Sequence, residues 1–337
     1  MRIGVFTSGG DAPGMNACVR AVVRSALAQG HEVVGIRRGY AGLLERDFHR
    51  GMRTESDGRD PETPLLTARS VSNVLQHGGT MLRTSRSQRF MTDEGQREAA
   101  AILSEHGIDV LVPIGGDGTF RGAVALARCW DGRIIGCPGT IDNDLSGTDY
   151  TIGFDTAVNT AVEAIDKIRD TADATERMFL IEVMGRHSGY IALDSALAAG
   201  AEEALMPETP TDVDALVKRL VAGKERGKTS SMVIVAEGDP CGGAEALHQA
   251  IKARQCPYET RVLILGHLQR GGSPTVRDRI LASRLGAFAV DALVAGETGM
   301  MAGEVDGEVV LTPFEKAWSE HKPITPDWIR LLEILAR

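Results

Sequence analysis

The sequence predicts a doubly wound α/β fold with mainly parallel sheets, and three observations predict it. Short β-branched apolar runs alternate with helical stretches along almost the whole chain, the pattern of βαβ units. The glycine- and charge-bearing segments fall just after those runs, at the carboxyl ends of strands where such sheets bind ligands. The 337 residues are enough for two modest domains, each with its own core.

Taken in order, IGVF (3–6) is the first strand, and SGGDAPGMN (8–16) turns it into a helix over 15–29. EVVGI (32–36) is the second strand. MRTESDGRDPETP (52–64) is polar and rich in turn formers, and reads as an exposed loop. A helix over 96–106 precedes the apolar strand DVLVPIGG (109–116), and a helix over 120–129 follows it. RIIGCP (133–138) is the next strand and opens onto GTIDND (139–144), ahead of a helix over 155–172. The strands MFLIEVMG (178–185), SMVIVAEG (231–238) and RVLILGH (261–267) complete the set, with helices over 189–199 and 275–294.

Composition excludes several function classes. Hydrophobic content of 43% and charged content of 25% are those of an ordinary globular protein. A net charge of -9 argues against a general affinity for nucleic acid or anionic membrane, so any anionic ligand must meet local basic clusters. No apolar run is long enough to span a bilayer, and the start, MRIGVFTSGGD, enters a strand directly with no signal-peptide stretch. Five cysteines (Cys18, Cys129, Cys137, Cys241 and Cys256) with no CxxC spacing argue against a disulfide framework or structural zinc, and fit a cytoplasmic location.

Glycines in SGGDAPGMN let backbone N–H groups approach a phosphate at a helix N-terminus, although a tight strand-to-helix turn needs the same residues. GGDGT (115–119) repeats the pattern with an acid inside it. Asp117 would repel a phosphate unless a cation lies between them, which Mg²⁺ supplies; alternatively it caps the following helix. Asp142 and Asp144 lie two apart, so an extended backbone would point them the same way and Asn143 oppositely. One acid near a metal and another placed to take a hydroxyl proton is what phosphoryl transfer requires; an Asx-rich turn is the plainer reading. Arg86, Arg177, Arg186, Arg261 and Arg270 lie near loops or strand starts, suited to two phosphate-bearing ligands. His267, between Gly266 and Arg270, reads either as a core histidine or as a sugar-hydroxyl contact. Met184, read alone, belongs to the core.

In this order and spacing, TSGGDAPGMNA, GGDGT, PGTIDNDLSGTDYTIGFDTA, EVMGRHSGY and LGHLQRGGSPTVRDRILASRLGA resemble the bacterial ATP-dependent 6-phosphofructokinases, as far as about residue 296. The resemblance implies two doubly wound α/β domains with mainly parallel sheets and the active site in the interdomain cleft. The ATP-binding domain would hold 1–152 and 267–317, the fructose 6-phosphate-binding domain 153–266 and 318–337. It also implies Mg²⁺, ATP as phosphoryl donor, fructose 6-phosphate as acceptor and a homotetramer.

By position, Asp142 matches the catalytic base, Asp117 the magnesium-linked acid, and Asp144 the same metal and phosphate site. Gly10, Arg86, Gly118, Thr119 and Gly122 match nucleotide-phosphate contacts, and Tyr40 a nucleotide-site residue. Thr140, Met184, Gly185, Arg186, Glu237, His267 and Arg270 match groups around fructose 6-phosphate. Arg177 and Arg261 match arginines that reach the 6-phosphate from a neighbouring subunit. Arg20, Arg24, Arg169, Gly200, Glu202 and Lys228 match an effector site for ADP or phosphoenolpyruvate, where a further arginine of allosteric relatives is Ala68 here, beside Arg69.

Among rivals, the pyrophosphate-dependent relatives place an acid at Gly118 and a lysine at Gly139. NAD kinases and diacylglycerol kinases carry GGDG without the later motifs. An inactive regulatory subunit would be expected to lack Asp142 or Asp117, and both are present.

Overall fold

The computed structural model describes residues 1–49, 65–320 and 322–336, so the loop expected over 52–64 lies outside the described residues. The chain divides into two compact units. One comprises Met1–Ile141, Leu145–Asp155 and Arg270–His321; the other comprises Asp142–Asp144, Thr156–Gln269 and Lys322–Arg337.

The larger unit opens with β1 (Arg2–Thr7), α1 (Met15–Ala28), β2 (Glu32–Ile36), α2 (Gly39–Leu44), α3 (Asp93–Glu105), β3 (Val110–Gly115), α4 (Asp117–Leu126) and β4 (Arg133–Pro138). The smaller unit follows with α5 (Phe154–Thr175), β5 (Met178–Val183), α6 (Tyr190–Ala199), β6 (Glu203–Leu205), α7 (Val213–Glu225), β7 (Ser231–Ala236), α8 (Gly243–Ala253) and β8 (Thr260–Ile264). The chain returns to the larger unit through α9 (Val276–Ala295), β9 (Met300–Val305), β10 (Glu308–Pro313) and α10 (Phe314–Ser319), and α11 (Pro326–Leu335) belongs to the smaller.

The six-stranded sheet of the larger unit has the order β10-β9-β4-β3-β1-β2. It is parallel except where β9 and β10 form a hairpin. Its central strand β3 is buried at every residue, which explains why VLVPIG reads as a continuous apolar run rather than an alternating one. Phe6, Leu103, Phe120 and Phe314 are completely or almost completely buried in its core, each worth about 1.5–3 kcal/mol of burial. Helix α3 starts where it does because Thr92 Oγ1 accepts the Gly95 N–H at 3.1 Å.

The smaller unit is built on a four-stranded, all-parallel sheet of order β6-β7-β5-β8. Its inner strand β7 (SMVIVA) is wholly buried, and Met178, Leu180, Leu216, Val233 and Leu247 form its core. Asp212 caps α7 by accepting from the N–H groups of Asp214 and Ala215. Among the described residues no helix is long and apolar enough to cross a membrane.

Candidate active site

Two strand-end loops meet in the larger unit. The Ser8 N–H, just past β1, donates to the Ile114 carbonyl near the end of β3 at 3.0 Å, setting SGGD beside GGDGT. The Thr7 hydroxyl donates to the Arg83 carbonyl and the Thr84 hydroxyl to the Gly9 carbonyl, at 2.8 and 2.5 Å. Those bonds draw the segment carrying exposed Arg86 alongside the first loop. Arg270 Nη1 donates to the Asp11 carbonyl at 3.2 Å, and its guanidinium lies where a Cβ on Gly10 would stand.

In GGDGT, Asp117 is the first residue of α4, and the capping position is Gly116, which makes no side-chain cap bond. The half-exposed Asp117 carboxylate lies at the positive end of the helix, 3.8 Å from the Arg121 guanidinium. Thr119 is buried, and its hydroxyl has no hydrogen-bond partner among the described residues. A Cβ at Gly118 would meet no atom of the described residues within 4 Å. The fold does not require glycine at 118; the space is left to whatever binds the loop.

Tyr40 and Gly122 come together for a structural reason. The Tyr40 ring stacks on Phe90 at 4.0 Å between centroids, and its hydroxyl donates to the Thr119 carbonyl at 2.8 Å. A Cβ at Gly122 would lie 2.6 Å from that ring. Burial pushes the Tyr40 phenol well above its usual range, so it stays neutral and supports the loop from below.

GTIDND follows β4 and is joined to GGDGT. The Gly139 N–H donates to the Gly115 carbonyl at 3.0 Å, and Thr140 packs on Gly116, with its Cβ 3.6 Å from where a Gly116 Cβ would be. The Thr140 N–H donates to the Ile152 carbonyl, and the Thr151 hydroxyl to the Thr140 carbonyl. A side chain at Gly139 would crowd Ile114 and Met15 at 3.0 Å, so packing as well as ligand space favours glycine there.

One expectation is corrected. Asn143 has φ 52°, in the left-handed region, so residues 142–144 are not extended and the two-residue alternation does not apply. The two acids instead differ in environment: Asp142 is 7% exposed and Asp144 half-buried.

No group of three or more His, Cys, Asp or Glu among the described residues forms a metal cage. Asp117 at a helix start beside glycine backbone nevertheless fits Mg²⁺, which takes one or two carboxylates and completes its shell with phosphate oxygens and water.

In the smaller unit, Met184, Gly185 and Arg186 form the turn after β5. Gly185 and Arg186 both have positive φ, 139° and 57°. The Glu237 N–H donates to the Val183 carbonyl, and its carboxylate accepts the Arg186 N–H at 2.8 Å. His267 is exposed in the 3-10 turn Gly266–Arg270, which rules out the core-histidine alternative. Gln269 of the same turn is fully buried and accepts the Met184 N–H at 2.8 Å.

Arg177 and Arg261 converge on one carboxylate. Arg177 Nε donates to Glu259 Oε2 at 3.0 Å, and Arg261 bonds its other oxygen. The Arg177 bond is the main cause holding the Glu259 carboxyl below its usual range. Sequence reasoning missed Gln269 and Glu259. The signal for both lay in their positions, one between His267 and Arg270, the other two residues before Arg261.

The effector candidates fall into separate pairs. Arg20 and Arg24 share α1, with Arg24 exposed. Arg169 Nη2 donates to the carbonyls of Ala199 and Gly200 at 2.5 and 3.0 Å, at the end of α6. Glu202 and Lys228 line a cavity of about 860 Å³ that also touches Arg226, Tyr258, Leu220 and Leu332. Lys228 Nζ lies 3.4 Å from Glu202 Oε1 and donates to the Ala336 carbonyl at 2.8 Å.

Glycine loops beyond parallel strand ends, joined to an acid-bearing turn, define an α/β phosphate-binding protein. This chain belongs to the phosphofructokinase family, whose model, described as Phosphofructokinase, matches residues 2–293. It is 58% identical over 335 residues to the ATP-dependent 6-phosphofructokinase 1 of Thermus thermophilus, with 99% of each chain covered. It is 48% identical to the ATP-dependent 6-phosphofructokinase 2 of Bacteroides thetaiotaomicron, over 99% of this chain and 98% of that one. Among solved structures it matches phosphofructokinase from Saccharomyces cerevisiae with a TM-score of 0.81 and 33% identity, over 99% of this chain but only 45% of the larger yeast chain. The pyrophosphate-dependent phosphofructokinase from Marinobacter aquaeolei shares the fold, with a TM-score of 0.79 and 22% identity over 100% of this chain and 92% of that one.

Proposed function

We propose that this chain is an ATP-dependent 6-phosphofructokinase, transferring the γ-phosphoryl group of ATP to the 1-hydroxyl of fructose 6-phosphate. The observation that carries the reading is the junction of two loops, Gly139 N–H on the Gly115 carbonyl and Thr140 against Gly116. It ties the turn that bears Asp142 to the loop that would hold the phosphates. The 58% and 48% identical relatives, matched along their whole length, support the same donor and acceptor. The open space at Gly118 supports a nucleotide over pyrophosphate, because an acid there would occupy and repel the α-phosphate position.

In this reading Asp142 takes the proton from the attacking hydroxyl. Gly10, Arg86, Gly118 and Thr119 cradle the nucleotide phosphates, with Tyr40 and Gly122 supporting Thr119 from beneath. Thr140, Arg186, Glu237, His267 and Arg270 orient the sugar phosphate, and Arg177 and Arg261 serve the 6-phosphate of a neighbouring subunit in a homotetramer. Asp117, with Asp144 near the same phosphate, would hold Mg²⁺, which when bound neutralises charge on the transferring phosphoryl group. The Arg20, Arg24, Arg169, Gly200, Glu202 and Lys228 set would bind ADP or phosphoenolpyruvate, and a cytoplasmic setting suits these substrates.

A coupled assay of the purified protein tests this. Fructose 1,6-bisphosphate should form from ATP and fructose 6-phosphate, and chelation with EDTA should stop it. Faster turnover with pyrophosphate than with ATP would overturn the donor assignment.

A further inference from the structure

The turn that carries Met184, Gly185 and Arg186 is pinned by side chains from the segments that follow each of the other three strands of its sheet. Gln269, in the turn after β8, accepts the Met184 N–H at 2.8 Å. Glu237, directly after β7, accepts the Arg186 N–H at 2.8 Å. Glu208, three residues past β6, accepts the Gly189 N–H at 2.8 Å. Within the turn the Ser188 N–H donates to the Gly185 carbonyl at 2.9 Å and the Tyr190 N–H to the Ser188 hydroxyl at 3.4 Å. With Gly185 and Arg186 at positive φ, the stretch from Met184 to Gly189 lies between β5 and α6, and its Met184, Arg186 and Gly189 N–H groups take acceptors brought from outside.

We propose that Glu208 and Gln269 are positioning residues for sugar-phosphate binding, acting through the turn from Met184 to Tyr190. The inference rests on the reading of that turn as part of the fructose 6-phosphate site. Both side chains are costly choices for mere packing. Gln269 is fully buried and its Nε2 has no hydrogen-bond partner, so an aliphatic residue of similar volume would fill the space at lower desolvation cost. Glu208 likewise has one buried oxygen, Oε2, without a hydrogen bond. The Gly189 N–H is thus its one hydrogen-bonded contact among the described residues. A Cβ at Gly189 would stand 2.6 Å from Oε2 and 2.6 Å from the Met206 Cβ, so glycine at that position makes room at the start of α6 for the carboxylate and for Met206 alike. A negative charge there is favoured by the helix dipole. What the two residues hold in common is the backbone of the turn, at its first and sixth residues, while Glu237 holds the third.

The two residues act on the backbone, not on reacting atoms, so the predicted signature is a change in sugar affinity alone. Glu208→Ala and the near-isosteric Gln269→Met should each raise the KM for fructose 6-phosphate on the order of tenfold, the effect of one lost buried acceptor. The kcat at saturating sugar should stay within about threefold, and the KM for ATP should not move. Glu208→Gln keeps a carbonyl acceptor and should restore the KM to near the unmutated value. Thermal melts confirm that each variant is folded, and the isosteric Gln and Met substitutions keep the test available if an alanine variant is not. Glu208→Gln as impaired as Glu208→Ala, or the KM values for both substrates rising together, would overturn the inference. Calorimetric titration of the unmutated protein with fructose 6-phosphate separates the two levels. No binding there would overturn the sugar-site reading and this inference with it; binding that is equal in all variants would overturn the positioning role alone.

Discussion

At the scale of single residues, glycines 118, 122 and 139 have three different causes despite their similar motif positions. Gly122 is set by the Tyr40 ring and Gly139 partly by Ile114 and Met15, whereas none of the described residues crowds Gly118. Only the last is therefore free to report on the ligand. Gly118→Asp should fold normally and weaken ATP use, measured as a higher KM or lower kcat for ATP in side-by-side kinetics; unchanged constants would remove the steric argument. Asp142 carries the second residue-scale prediction. It is buried in a left-handed turn, and as the proposed base it should be worth about 10²–10⁴-fold in turnover. Asp142→Ser should lose that factor in kcat while fructose 6-phosphate binding, followed by calorimetry, stays nearly intact. The acid-rich character of GTIDND was legible from residue types. Its backbone was not, because a single Asn in the left-handed region breaks the alternation on which any strand-based orientation argument depends.

At the scale of elements, the strands with long buried apolar runs were readable. β3, β4, β5 and β7 sit within the runs expected, and β1 extends one residue beyond its run at each end, because parallel strands covered on both faces leave an uninterrupted hydrophobic signature. The strands not read were those without it. β6 has only three residues, and β9 and β10 are half-exposed in places and follow a helix rather than alternate with one. Their signal was the Asp306-Gly307 pair, whose φ values of 51° and 82° make the two-residue turn that joins an antiparallel hairpin. Elements also carry a pH dependence. Arg177, just before β5, and Arg261, on β8, share Glu259, whose folded pKa is depressed. A depressed carboxylate contributes stability above its unfolded pKa and loses it as pH falls through the folded value. Glu259 is exposed, so the contribution is small. Melting temperature should fall between about pH 5 and pH 3 by a slightly larger amount in the unmutated protein than in Glu259→Gln. Identical acid limbs in the two would show that the pairing adds nothing.

At the scale of the whole molecule, each unit is discontinuous: the chain leaves the larger unit for the smaller, returns to it at Arg270 and ends in the smaller one. Periodicity alone could not show this, because each βαβ segment looks alike in sequence whichever sheet it joins; the ordered motif set pointed to two α/β domains. The same limit applies to quaternary structure, which the Arg177, Arg261 and Glu259 cluster bears on directly. Within one chain both arginines are already satisfied by a carboxylate of their own unit. If they serve a neighbour's sugar phosphate, that phosphate must compete with Glu259 for them, and affinity becomes coupled to how subunits are oriented. Complementation tests the arrangement. Asp142→Ser and Arg261→Ala proteins, each nearly inactive at low fructose 6-phosphate, should regain activity when their subunits are exchanged, because some mixed sites then hold an intact Asp142 and an intact partner arginine. The gain should appear at low fructose 6-phosphate and should not exceed the share of sites that mixing makes whole. Exchange verified by tagged subunits with no recovery of activity would mean that each subunit supplies its own arginines, and Glu259 would then be a local brace for β5 and β8, not a competitor for the substrate.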